Sequence, residues 1–216
     1  MKSVSNHSLA VFGGTFDPVH IGHLRIAIRL REAGFERVLM VPNRQPPHRD
    51  QPGASGAQRL AMLNLAIADI PAMTGITASD IELTQDGPSY SARTVEQIRQ
   101  RAPEQAITWV MGTDAWNGFD RWHQPDVILD HANLLVISRP GETLRRDGWL
   151  GQQLSEREAP LSQLFTQAHG GICLQAWPEL DISASDLRQA ILRGDNTAFL
   201  TPESVQNYIE QHSLYK

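Results

Sequence analysis

The feature that most restricts this chain is an apolar run at residues 9–14 that ends in two glycines and is followed by a change of period. After a short loop, Leu24, Ile26, Ala27 and Leu30 recur at helical spacing, and a second apolar run, Arg37-Val38-Leu39-Met40-Val41, comes next. Strand, loop, helix and strand close a βαβ unit of about 30 residues, which requires a parallel sheet. The alternation continues, with a helix at 57–68, a strand at 76–83, a helix at 92–101, strands at 107–111 and 133–137, and a short strand at 172–176. Helical patterns return at 185–193 and 202–212, the first with acceptable cap residues ahead of it and Gly194 behind it. Residues 142–170 are polar and show no clear period. The pattern predicts an α/β fold, a doubly wound parallel sheet of Rossmann-like type. Ligands of such sheets bind beyond the carboxyl ends of the strands where strand order reverses, so the loop at 13–23 belongs at the mouth.

At 216 residues the chain suits one domain with a shared core, and we expect residues 1–216 to form it, with a helical C-terminal part at about 183–216. A net charge of -5 argues against a broad nucleic-acid footprint. No apolar run approaches the roughly 20 residues that span a bilayer, and residues 1–8 lack the apolar stretch of a secretory signal, so the expectation is a cytoplasmic protein with no membrane or nucleic-acid partner. The oligomeric state stays open. The lone Cys173 sits in an apolar stretch and reads as a buried structural thiol.

Glycines after a first strand invite a dinucleotide or P-loop reading, yet neither G-x-G-x-x-G nor G-x-x-x-x-G-K-[ST] is present near Gly13. Instead Gly13 and Gly14 let backbone approach a ligand, and His20 and His23 follow near a helix start. A helix amino terminus carries unpaired N–H groups and partial positive charge, so two imidazoles there make a polyphosphate site. The alternative is that one histidine caps the helix and the other packs in the core. A zinc site of His20, His23 and His48 is a further possibility, although spacing places no cysteine or carboxylate partner beside them. Asp17 reads as a turn residue ahead of Pro18.

The whole string Gly13-Gly14-Thr15-Phe16-Asp17-Pro18-Val19-His20-Ile21-Gly22-His23 closely resembles the nucleotidyltransferase superfamily signature, in which a T/H-x-G-H element binds ATP phosphates. The resemblance implies that Gly13, Gly14, Thr15 and Phe16 contact ATP, and that His20 and His23 stabilise the transition state at the α-phosphate. A second segment, Ile182-Ser183-Ala184-Ser185-Asp186-Leu187-Arg188, resembles the superfamily's I-S-S-T-x-x-R motif, with Ala184 where serine is common. By that likeness Ser183, Ser185 and the catalytic Arg188 hold the β and γ phosphates. A serine N-cap with a solvated arginine is the plainer reading of the same residues.

Three more segments are similar to the nicotinate-mononucleotide adenylyltransferases. Pro46-Pro47-His48-Arg49 resembles the family's P-P-H-[KR] loop, and Gly87-Pro88-Ser89-Tyr90-Ser91 resembles G-P-S-Y-T, with Ser91 in place of threonine. Gly112-Thr113-Asp114 followed by Trp122-His123 resembles a G-x-D element and a downstream aromatic pair. The likeness implies that His48 and Arg49 meet the substrates, that the backbone N–H groups of Ser91 and His123 meet a nicotinate carboxylate, that Asp114 accepts hydroxyls, and that Trp122 stacks on the pyridine ring. Without it, Ser91 is an N-cap, and Trp116, Phe119 and Trp122 form a helix-spaced packing stripe. The implied substrates are ATP with Mg²⁺ and nicotinate mononucleotide, and the implied products are deamido-NAD and pyrophosphate. Phosphopantetheine adenylyltransferases share the opening motif and form the second choice. A nucleotide sensor without chemistry is a third.

Overall fold

The computed structural model describes residues 8–44, 52–70, 75–138, 142–178 and 180–216. Its strands are β1 (Ser8–Gly14), β2 (Arg37–Pro42), β3 (Ile76–Ala78), β4 (Ala106–Gly112), β5 (Asn133–Ile137) and β6 (Ile172–Gln175). They form one sheet in the order β3-β2-β1-β4-β5-β6. The ladders β1–β4, β4–β5 and β5–β6 are parallel, with Val11 opposite Trp109 and Val110 opposite Leu135. All of β5 is buried, as the continuous run Asn-Leu-Leu-Val-Ile requires of a strand covered on both faces. Strand order reverses between β1 and β4, and both strands end there in glycine, Gly14 and Gly112.

The helices are α1 (Ile21–Ala33), α2 (Gly56–Ala68), α3 (Ser91–Arg101), α4 (Thr113–Trp116), α5 (Pro125–His131), α6 (Gly148–Arg157), α7 (Ala184–Arg193) and α8 (Glu203–Gln211). The chain divides into two compact units, one of residues 8–13, 33–38 and 90–178, the other of residues 14–32, 39–89 and 180–216. In the first unit Arg99 acts as a staple. Its guanidinium donates to the carbonyls of His131 (2.7 Å), Gln105 (2.7 Å), Pro103 (2.9 Å) and Ala168 (2.7 Å), tying the end of α3 to the end of α5 and to the turn before β6. Burial pushes its pKa down, opposed by Glu104. Replacing Arg99 by alanine strands several carbonyls at once, so we expect a loss of at least about 2 kcal/mol and a melting temperature lower by roughly 4–8 °C. A scan showing no shift would contradict the staple.

Two expectations are corrected. The strand at 76–83 stops at Ala78, because local polar bonding redirects the backbone. Ser79 N–H still reaches Met40 O, but Ser79 Oγ then accepts from Ile81 N, and the Thr84 N–H and Oγ1 both donate to Asp80 O, closing a helical turn. Residues 142–170, read as without period, contain α6 and a 3₁₀ turn at Leu161–Phe165. The buried positions of α6 are Leu150, Gln153 and Leu154, so a glutamine fills one core-facing place and hides the stripe. Cys173 is 2% exposed and burial raises its pKa, as expected of a structural thiol. Among the described residues no helix is long and apolar enough to cross a membrane.

Candidate active site

Each unit carries one group of the sequence-predicted residues. In the second unit, α1 begins immediately after His20, whose carbonyl accepts the helical bond from Leu24 N (3.2 Å). His20 is therefore the N-cap and His23 lies three residues in. The His20 backbone N–H donates to His23 Nδ1 (3.3 Å), the reciprocal half of a capping box with imidazole in the usual place of Glu or Gln. An accepting Nδ1 puts the proton of the neutral ring on Nε2. The two rings stack with centroids 3.6 Å apart, and Phe16 meets His23 edge-on at 5.0 Å. Gly22 allows this arrangement, since a methyl group there would lie 3.0 Å from His20 Nδ1. The capping-and-packing alternative therefore holds, with His23 closing the cap and His20 packed at 5% exposure.

Asp17 lies in a turn with Pro18, as its reading from sequence has it, and its side chain is buried. It is 2% exposed, and its carboxylate accepts from Gly53 N (2.8 Å), Ala54 N (3.1 Å) and Tyr215 Oη (2.7 Å). Arg188 Nη1 donates to the Asp17 carbonyl (2.7 Å) and lies 3.7 Å from Oδ2, while Nη2 donates to Ser185 Oγ (3.2 Å). The second predicted phosphate element and the first are therefore joined by direct bonds. Ser183 is the N-cap of α7, its hydroxyl accepting from Asp186 N (3.3 Å), so the capping reading of that serine is correct. Thr15 contributes its carbonyl to Arg59 Nη1 (2.7 Å) and its hydroxyl to Asn43 Nδ2 (3.4 Å). Arg59 is 1% exposed and also bonds the carbonyls of Ala54 and Arg44. Burial pushes its pKa down and Asp17 opposes that shift. The C-terminal segment also grips the motif, through Thr201 Oγ1 to Val19 O (2.7 Å) and Ile21 N to Leu200 O (2.9 Å).

Arg59 and Tyr215 carry this cluster without any assignment from sequence, and Asp17 was read there only as a turn residue. Only Arg59 had a signal: it occupies the same stripe of α2 as Met62, Leu63 and Ala66, where an arginine demands partners.

The first unit holds the other group. Ser91 is the first residue of α3, and its N-cap is Tyr90, which makes no side-chain cap bond, so Ser91 is not the cap. Tyr90 stacks on His123 with centroids 4.2 Å apart, bringing two predicted segments together. Trp116 and Phe119 are fully buried, as the packing stripe predicts, but α4 ends at Trp116, and Phe119 opens a separate 3₁₀ turn that stops at Arg121, before Trp122. Trp122 is half-buried, resting edge-on against Phe119 at 5.4 Å. Asp114 is exposed in the first turn of α4. His48 and Arg49 lie outside the described residues. Among the described residues no group of three or more His, Cys, Asp or Glu gathers as a metal site would.

The chain belongs to the cytidylyltransferase-like family, whose model matches residues 11–190. The nicotinate-nucleotide adenylyltransferase of Salmonella typhimurium is 42% identical to it over 223 residues, covering 100% of both chains. A probable enzyme of the same name from Yersinia pestis is 39% identical over 98% of this chain and 97% of its own. These relatives put it among the nicotinate-nucleotide adenylyltransferases. In fold it is similar to Plasmodium falciparum nicotinic acid mononucleotide adenylyltransferase, solved in complex with NaAD, with a TM-score of 0.74 at 15% identity over 96% and 97% of the two chains.

Proposed function

We propose that the chain, acting as a single catalytic domain in the cytoplasm, condenses ATP with nicotinate mononucleotide to give deamido-NAD and pyrophosphate. The observation that carries this reading is the stacked His20–His23 pair at the start of α1, in a chain matched end to end by nicotinate-nucleotide adenylyltransferases. A phosphate oxygen of the mononucleotide attacks the α-phosphorus in line, forming a new P–O bond as the bond to the β-phosphate oxygen breaks. The attacking phosphate is already anionic, so no general base is required; the protein aligns the reactants and stabilises charge on the leaving pyrophosphate. His23 Nε2–H, His20 and Arg188 are the donors assigned to that charge, and Ser183 and Ser185 to the outer phosphates. Mg²⁺ enters as part of the nucleotide substrate, since this ion is held largely by substrate phosphates and water.

At the acceptor end, two backbone N–H groups suit a carboxylate, which accepts both, where an amide turns a donor toward one of them. Ser91 and His123 are assigned that role, Asp114 the hydroxyls, Trp122 the ring, and His48 and Arg49 further phosphate contact. Trp122→Ala should raise KM for nicotinate mononucleotide roughly tenfold on the scale of one base–aromatic stack and leave KM for ATP unchanged. An unchanged acceptor KM contradicts the stacking role. The function itself is tested by incubating the protein with ATP, Mg²⁺ and nicotinate mononucleotide and separating the products. Deamido-NAD and pyrophosphate should form in equal amounts, and a reaction that yields no dinucleotide overturns the reading.

A further inference from the structure

We propose that Tyr215, the penultimate residue, is a positioning residue that holds Arg188 in place for the polyphosphate of the nucleotide; this rests on the function proposed above. The phenol donates to Asp17 Oδ1 at 2.7 Å, and the same carboxylate takes the N–H groups of Gly53 and Ala54. Its ring covers Gly53 so closely that a methyl group there would lie 3.0 Å from Cδ1 and Cε1, and 3.7 Å from Arg188 Cδ. Tyr215 adopts a φ of 61°, an unfavourable region for a side chain of its size. Tertiary contacts hold it there. Burial pushes the phenol pKa well above its ordinary value and the bond to Asp17 adds to this, so the hydroxyl remains a donor throughout the neutral range.

The consequence falls on Arg188. With three donors on Asp17, the guanidinium is held by the Asp17 backbone carbonyl and Ser185 Oγ, and its ion pair with Oδ2 stays long, at 3.7 Å. Without the phenol, Oδ1 loses a donor, and Arg188, already paired with Oδ2 at 3.7 Å, is free to shorten that pair. A guanidinium drawn into that pair is withdrawn from a phosphate ligand. Tyr215 thus keeps the arginine oriented and its ion pair with Asp17 long.

Tyr215→Phe keeps the ring and removes only the hydroxyl. The dissociation constant for ATP with Mg²⁺, read by titration calorimetry, and the KM for ATP should each rise about tenfold, the scale of one hydrogen bond to a charged group. The KM for nicotinate mononucleotide should stay within twofold of the wild-type value, since that substrate does not meet Arg188 in this scheme. A chain ending at Leu214 should reproduce the ATP defect. An ATP dissociation constant unchanged in Tyr215→Phe overturns the inference, and so does a uniform fall in activity that tracks a lowered melting temperature. The calorimetric comparison needs no turnover: a wild-type protein that binds ATP but forms no dinucleotide sinks the proposed reaction, while the two ATP affinities still decide the role of Tyr215.

Discussion

Replacing His20 by alanine should lower kcat by about two to three orders of magnitude, because removing one transition-state donor from a preorganised site costs roughly 2.7–4 kcal/mol. The fold should survive the change. His20 contributes its carbonyl to Leu24 N and its backbone N–H to His23 Nδ1, and both groups are main-chain atoms that alanine retains. What alanine lacks is the imidazole stacked 3.6 Å from that of His23. The loss should therefore appear in kcat, with ATP affinity reduced much less, and with a far-ultraviolet circular dichroism spectrum like that of the parent. Turnover within a few-fold of the parent enzyme would remove His20 from the chemistry.

Asp17→Ala should be the most destabilising single change in the second unit, by about 3–5 kcal/mol, the range for breaking a buried ionic group by removing one partner. Its carboxylate is the shared acceptor of Gly53 N, Ala54 N and Tyr215 Oη, and it is the acidic group facing the buried Arg59 and the half-buried Arg188. Alanine leaves those donors without an acceptor. Arg59 would remain 1% exposed, held only by the carbonyls of Thr15, Ala54 and Arg44. Urea unfolding should show a midpoint shifted well down with the slope little changed. A loss below about 1 kcal/mol would mean that Asp17 is not the hub its contacts describe.

Sequence periodicity identified most of the sheet because burial on both faces writes strands as unbroken apolar runs; β5 occupies Asn133–Ile137, the very residues of its apolar run. Where polar side chains took part in local structure the pattern misled. Ser79 and Thr84 turned the second half of the expected 76–83 strand into a helical turn, and Gln153 in a core-facing place concealed α6. The site divides in the same way. His20 with His23, and Ser183 with Arg188, are local pairs whose spacing could be read directly. The partners of Asp17 could not, because Arg188 and Tyr215 lie 171 and 198 positions away in the chain and only folding joins them. Tyr90 was legible as part of a motif, but its stacking on His123 depends on how α3 is brought beside the turn after Trp122.

The most direct test compares acceptors under one assay: pyrophosphate release from ATP and Mg²⁺ with nicotinate mononucleotide, nicotinamide mononucleotide or phosphopantetheine as the sole acceptor. The account predicts kcat/KM highest for nicotinate mononucleotide, at least about tenfold lower for the amide, which must turn a donor toward an N–H group, and no measurable release with phosphopantetheine. Equal or greater kcat/KM with either of the other two acceptors would contradict it.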